Sequence, residues 1–147
     1  DGEVVVRDSN AILVYLANRF APEWNPSEPA AAAQVQAWLT TASKEIVAGP
    51  CAARLVTVFN ASYDHGEVID KSHEILRVIE AHLKQREWLA TDAPTIADVS
   101  AYGYIAAAPE GDVSLDAYPS VRAWLERIEA LPGFVAMPPA FPKGEAA

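Results

Sequence analysis

The stretch Pro94-Thr95-Ile96-Ala97-Asp98-Val99-Ser100-Ala101-Tyr102-Gly103-Tyr104 decides the fold. Thr95 and Asp98 stand at the spacing of a capping box. The hydroxyl accepts from the amide three residues on, and the carboxylate reaches back to the amide of the capping residue. The helix that this box opens is apolar almost all round. A helix without a polar face must be covered on every side, so the spacing predicts a bundle wrapped around residues 96–108.

Reading outward toward the C-terminus, Pro109 to Ala117 forms a loop, and Tyr118-Pro119 introduces a last helix with Val121, Trp124, Leu125 and Ile128 on its buried face. Pro132-Gly133 stops it, and the proline-rich tail to Ala147 is expected to lie on the surface without regular structure. Toward the N-terminus, Val68, Ile69, Ser72, Ile75, Leu76, Ile79 and Leu83 trace a strongly amphipathic helix. Before it, Ala31, Val35, Trp38, Leu39, Ala42 and Ile46 mark one face of a long helix that must kink or restart at Gly49-Pro50. Ser27 is the expected cap of that helix. Residues 21–29 hold three prolines and read as a linker. Ala11, Ile12, Tyr15, Leu16 and Phe20 recur at helical spacing after Asp8-Ser9. Asp1-Gly2 is a hairpin-turn dipeptide before Val4-Val5-Val6, which predicts a short strand paired with one preceding Asp1, and so a chain that begins inside a domain.

Composition narrows the function. At 147 residues and 51% apolar the chain can build one ordinary core. Eleven basic against twenty acidic residues leave a net charge of −9 without a basic cluster, which argues against nucleic acid or an anionic membrane as partner. The longest apolar run is too short to span a bilayer, and Cys51, the single cysteine, allows no internal disulfide. A cytoplasmic location is expected. Cys51 reads as a small core residue. His65, His73 and His82 do not share the alignment a metal needs; His65 belongs to a helix start and the other two to a solvated face, so no metal is expected.

Asp8 and Ser9 are the best candidates for binding. At a helix N-terminus the backbone amides carry partial positive charge, so with the Ser9 hydroxyl they can hold a small carboxylate, while Asp8 can hold an ammonium. Together they suit the head group of an amino acid. Spacing alone is equally met if one of the two is only the N-cap.

The run Asp1 to Ala17, Asp-Gly then Val-Val-Val-Arg-Asp-Ser-Asn-Ala-Ile-Leu-Val-Tyr-Leu-Ala, closely resembles the last strand and helix of the glutathione-binding domain of cytosolic glutathione transferases, of the bacterial type. Trp88 to Val99 resembles the capping box of that family's helical domain, and Tyr118-Pro to Phe134 resembles its closing helix. The resemblance implies a mainly all-α fold: residues 1–20 a remnant of the thioredoxin-like domain, 21–29 the linker, and 30–147 the helical C-terminal domain.

It implies further that Ser9 holds the γ-glutamyl carboxylate of glutathione, the co-substrate, and Asp8 the neighbouring ammonium. Trp38 and Tyr104 become candidates for the wall of the pocket for a small-molecule electrophile, while Thr95 and Asp98 stay structural. A homodimer is expected. The group that activates the thiol lies earlier in the thioredoxin-like domain than these residues reach, so the catalytic residue is unknown and the 147 residues alone are expected to be inactive. Reductase, isomerase or dehalogenase chemistry on the same fold, and a non-catalytic helical interaction module, are the competing readings.

Overall fold

The computed structural model describes residues 1–140. Among them six α-helices follow one another: α1 (Ser9–Phe20), α2 (Pro29–Thr41), α3 (Ala52–Phe59), α4 (His65–Leu83), α5 (Ile96–Ala106) and α6 (Pro119–Glu129). A π-helical segment, Ala42–Cys51, joins α2 to α3 without a break, and short 3-10 turns lie at Pro22–Trp24 and Ala108–Gly111. The main core gathers Ile46, Leu76, Ile79, Leu89, Ile105, Val113, Val121 and Trp124, all essentially without exposure. A second cluster of Ala17, Val35, Leu39, Ile96 and Ala97 fastens α1 and α2 to the start of α5, and Trp38 packs against both.

The capping box forms in both directions. Its carboxylate does more than the spacing required. Asp98 Oδ2 accepts from the Thr95 amide (2.9 Å) and hydroxyl (3.1 Å), while Oδ1 accepts from the Leu89 amide (3.0 Å) and the Trp124 indole N–H (2.9 Å). Four donors from three parts of the chain thus surround one buried carboxylate, which offsets the large cost of desolvating it. The helix it opens is shorter than expected, ending at Ala106, and it is not covered on every side: Val99 and Tyr104 are exposed.

Pro50 explains the winding of the middle helix. It has no amide to donate, and its ring would collide with the carbonyl four residues back, so the ordinary hydrogen-bond ladder cannot pass it. The chain widens into π winding instead of kinking. This segment crosses α4 at Gly49, where a Cβ would stand 2.9 Å from the backbone of Ser72. Only glycine permits that approach.

Other starts differ from the expected ones. Glu28, not Ser27, caps α2, its two carboxylate oxygens accepting from the amides of Ala30 and Ala31 with Pro29 at the first helical position. These two bonds hold the Glu28 carboxyl below its ordinary pKa. Glu80, buried on α4, caps α6 from across the bundle, accepting from Ser120 N, Val121 N and Ser120 Oγ. Val4 to Val6 form no strand, and none occurs among the described residues. A strand needs a hydrogen-bonding neighbour, and here the Val4 amide turns back to the Asp1 carbonyl at 3.0 Å. His73 and His82 are not on a solvated face: His73 Nδ1 meets the Tyr118 hydroxyl at 2.8 Å, and His82 Nε2 meets the Leu89 carbonyl at 2.8 Å. His65 opens α4, as expected. Beyond α6 the chain is irregular, and Ala140 N donates to Glu110; the rest of the expected surface tail lies outside the described residues.

Candidate functional site

The starts of α1 and α4 both carry an exposed aspartate cap, and the one at α1 differs in its backbone. Asp8 is the N-cap, its Oδ1 accepting from the Ala11 amide at 3.0 Å, and Ser9 is the first helical residue. Asp8 has φ 78° and ψ 131°, a left-handed conformation that a side-chain-bearing residue adopts at a cost of about 1–3 kcal/mol. Backbone strain of this kind persists where the surroundings impose it, and it collects at binding sites. Both residues are exposed. The cap uses one carboxylate oxygen of Asp8, and Oδ2 lies outside it. With the Ser9 hydroxyl and the positive end of the α1 dipole beside it, the turn offers an anion and a cation subsite a few atoms apart.

An open groove of about 810 Å³ runs along α1 beside α2, with Asp8, Asn10 and Ala11 at one end, Asn18 and Arg19 at the other, and Gln36 on the α2 wall. Arg19 is drawn to Asp1 (2.6 Å), whose carboxylate also accepts from Tyr15. A second crevice of about 390 Å³, largely apolar, lies between α5 and the end of α6, lined by Trp24, Val99, Tyr102, Leu131 and Phe134. On its wall, partial burial and a hydrogen bond to Glu129 push the Tyr102 phenol up to about 12.

The two aromatic candidates lie elsewhere and apart. Trp38 is half-buried and meets the His82 ring edge-on at 4.8 Å between centroids. Tyr104 is 38% exposed on α5, and the neighbouring buried Cys51 thiol raises its pKa, with burial adding and Arg54 opposing. Neither lines the groove or the crevice. Nor is either of Tyr102 and Tyr104 fully in the core, where one was expected. Among the described residues no group of three or more His, Cys, Asp or Glu is placed to hold a metal ion.

Two polar features escaped the sequence reading. Arg54 and Glu110 form an ion pair, and Asn10 makes hydrogen bonds to other helical elements. For Asn10 a signal existed: it stands on the buried face of α1, in line with Leu13, Val14 and Ala17.

Residues 54–132 match the family model described as Glutathione S-transferase, C-terminal domain. The chain is 33% identical over 146 residues to Glutathione S-transferase 3 of Zea mays, covering 91% of this chain and 66% of that protein, so it spans slightly less than two thirds of the relative. It is also 32% identical over 104 residues to Elongation factor 1-gamma of Equus caballus, covering 68% of this chain and 23% of that one. In three dimensions it resembles the theta class glutathione S-transferase from Xanthomonas axonopodis pv. citri, solved with glutathione bound. The TM-score is 0.77 at 28% identity, over 90% of this chain and 72% of that chain.

Proposed function

Because the chain belongs to the glutathione S-transferase family, we propose that the strained turn at Asp8 and Ser9 is the anchor for the γ-glutamyl end of glutathione in a glutathione-conjugating enzyme. The carboxylate of the tripeptide sits against the Ser9 hydroxyl and the first amides of α1, and the ammonium sits against the outward oxygen of Asp8. One observation carries this reading: Asp8 bears backbone strain while exposed to water, where a cap alone would not require it. A match to a relative solved with glutathione bound supports the same ligand.

In this proposal residues 1–20 close the glutathione-binding domain, 21–29 link it to the bundle, and 30–147 form the helical domain. An unassisted thiol with a pKa near ~8.5 is mostly protonated at neutral pH, and the thiolate is the nucleophile. The hydrogen-bond donor that lowers this pKa belongs to an earlier part of the glutathione-binding domain than residues 1–20, and the 147 residues alone are proposed to be inactive. The electrophile meets the helical domain, with Tyr104 and Trp38 as the proposed aromatic contributors. We place the protein in the cytoplasm as a homodimer; no helix among the described residues is long and apolar enough to cross a membrane.

Turnover of a chloronitroarene by the intact protein with glutathione tests the proposal, and absence of both turnover and glutathione binding overturns it. The match to Elongation factor 1-gamma favours one second reading, a non-catalytic helical interaction module. Failure to bind immobilised glutathione together with co-purification of a defined macromolecular partner is the outcome that reading requires.

A further inference from the structure

Asn10 lies directly after the proposed anchor, and its side-chain amide is hydrogen-bonded on both ends. Nδ2 donates to the Leu39 carbonyl on α2 (3.0 Å) and to Ser43 Oγ in the π segment (2.8 Å). Oδ1 accepts from Ser100 Oγ on α5 at 2.6 Å. Ser43 also donates to the Leu39 carbonyl (2.8 Å), which closes the junction. Four residues from four helical elements therefore meet around one amide, in a partly buried place. The other links between α1 and the bundle are apolar contacts of Leu13, Val14 and Ala17, which fix distance but tolerate sliding and rotation. Directional bonds at Asn10 fix the rotation of the first turn, and so the direction of the Ser9 hydroxyl and the α1 amides.

We propose that Asn10 is a positioning residue: through Leu39, Ser43 and Ser100 it locks the first turn of α1 onto the helical bundle and so holds Asp8 and Ser9 in the geometry that receives glutathione. This role rests on the function proposed for that turn. It is a mechanical link between the anchor and the domain that carries the electrophile, made from side chains neither domain needs for its own core.

The test uses Asn10→Ala, Ser100→Ala and Asn10→Asp in the intact protein, with two readouts. Asn10→Ala is expected to raise KM for glutathione about three- to tenfold, the range of one hydrogen bond to glutathione lost through misplacement of the turn, and to leave KM for the electrophile unchanged. Hydrogen exchange of the Ile12 and Leu13 amides is expected to quicken about tenfold while that of Leu76 and Ile79 stays at the wild-type rate. Asn10→Asp keeps the acceptor for Ser100 but sets a carboxylate against the Leu39 carbonyl, so it should do no better than alanine. Equal changes in both KM values, or unchanged exchange at Ile12 and Leu13, overturn the proposal. If Asn10→Ala does not fold, Ser100→Ala carries the same two readouts with a smaller expected change. A wild-type protein that fails to bind glutathione overturns the functional assignment alone, because exchange in α1 still decides whether Asn10 positions the turn.

Discussion

The starts of α1 and α5 both rest on an aspartate carboxylate, and the two carboxylates have opposite fates. At α5 Asp98 is buried and accepts four hydrogen bonds, so nothing remains to bind a ligand. At α1 Asp8 is exposed, caps with one oxygen, and sits on a strained backbone. The same chemistry serves folding where the amides are enclosed. Asp64 also caps an exposed start, at α4, so what sets Asp8 apart is its backbone, and it is there that we propose recognition. The start of α6 lies between them: its cap is the buried Glu80, but it comes from another helix.

A graded response to mutation is expected from this contrast. Asp98→Ala leaves the Leu89 and Thr95 amides and the Trp124 indole N–H without their acceptor, each worth about 1–3 kcal/mol when buried, so a total loss of at least about 3 kcal/mol is expected by urea unfolding. An unchanged midpoint would remove Asp98 from its structural role. Glu80→Gln retains shape and can keep its carbonyl oxygen on both backbone amides, with its NH2 group toward the Ser120 hydroxyl, so it loses only the charge on the acceptor; a loss of about 1 kcal/mol is expected in the same measurement. Asp8→Gly should destabilise by no more than about 0.5 kcal/mol, since a glycine cap costs only a few tenths and relief of the strain at φ 78° acts in the stabilising direction. Its effect should instead appear as weakened glutathione binding. A stability loss as large as that of Asp98→Ala would erase the contrast between the two starts.

The smallest expected effect concerns pH. Burial pushes the Glu110 carboxyl up, but the Arg54 ion pair and the Ala140 amide together hold it below its ordinary value. A carboxyl depressed in the folded state contributes stability above its unfolded pKa and loses it as pH falls through the folded one. Acidification below the ordinary carboxylate range should therefore release the segment around Ala140 from Glu110 in the turn Ala108–Gly111 before the core melts. Exchange of the Ala140 amide against that of Leu76 would show it. Tyr102 works in the other direction: its phenol, raised to about 12, contributes stability below the ordinary tyrosine value and loses it as pH rises toward that figure.

Much of the fold was legible because its signals are local. The Thr95 and Asp98 box, the periodic faces of α4 and α6, and Pro119 at the first position of α6 depend on residues within one or two turns. The features that were not legible depend on partners far along the chain. Val4 to Val6 carry strand propensity, yet no neighbour among the described residues pairs with them. Ten residues of π winding follow from Pro50 and the close crossing of Gly49 over Ser72, which no periodicity announces. The indole of Trp124 reaching Asp98, and Glu80 capping a helix 40 residues on, are likewise contacts that only packing creates. At the candidate site the residue types at Asp8 and Ser9 could be read from the chain, and the division of roles at the cap could not. Trp38 is a pocket candidate through the family resemblance of its helix, and its place against His82 is a packing contact that the chain does not announce.

On this account the strained aspartate start, at α1, is the one that binds glutathione. Isothermal titration of glutathione into the intact protein and its Ser9→Ala variant tests it most directly. A loss of one hydrogen bond, about 0.5 to 1.5 kcal/mol, predicts a two- to roughly tenfold weaker affinity with an unchanged unfolding midpoint; equal affinities in the two proteins would contradict it.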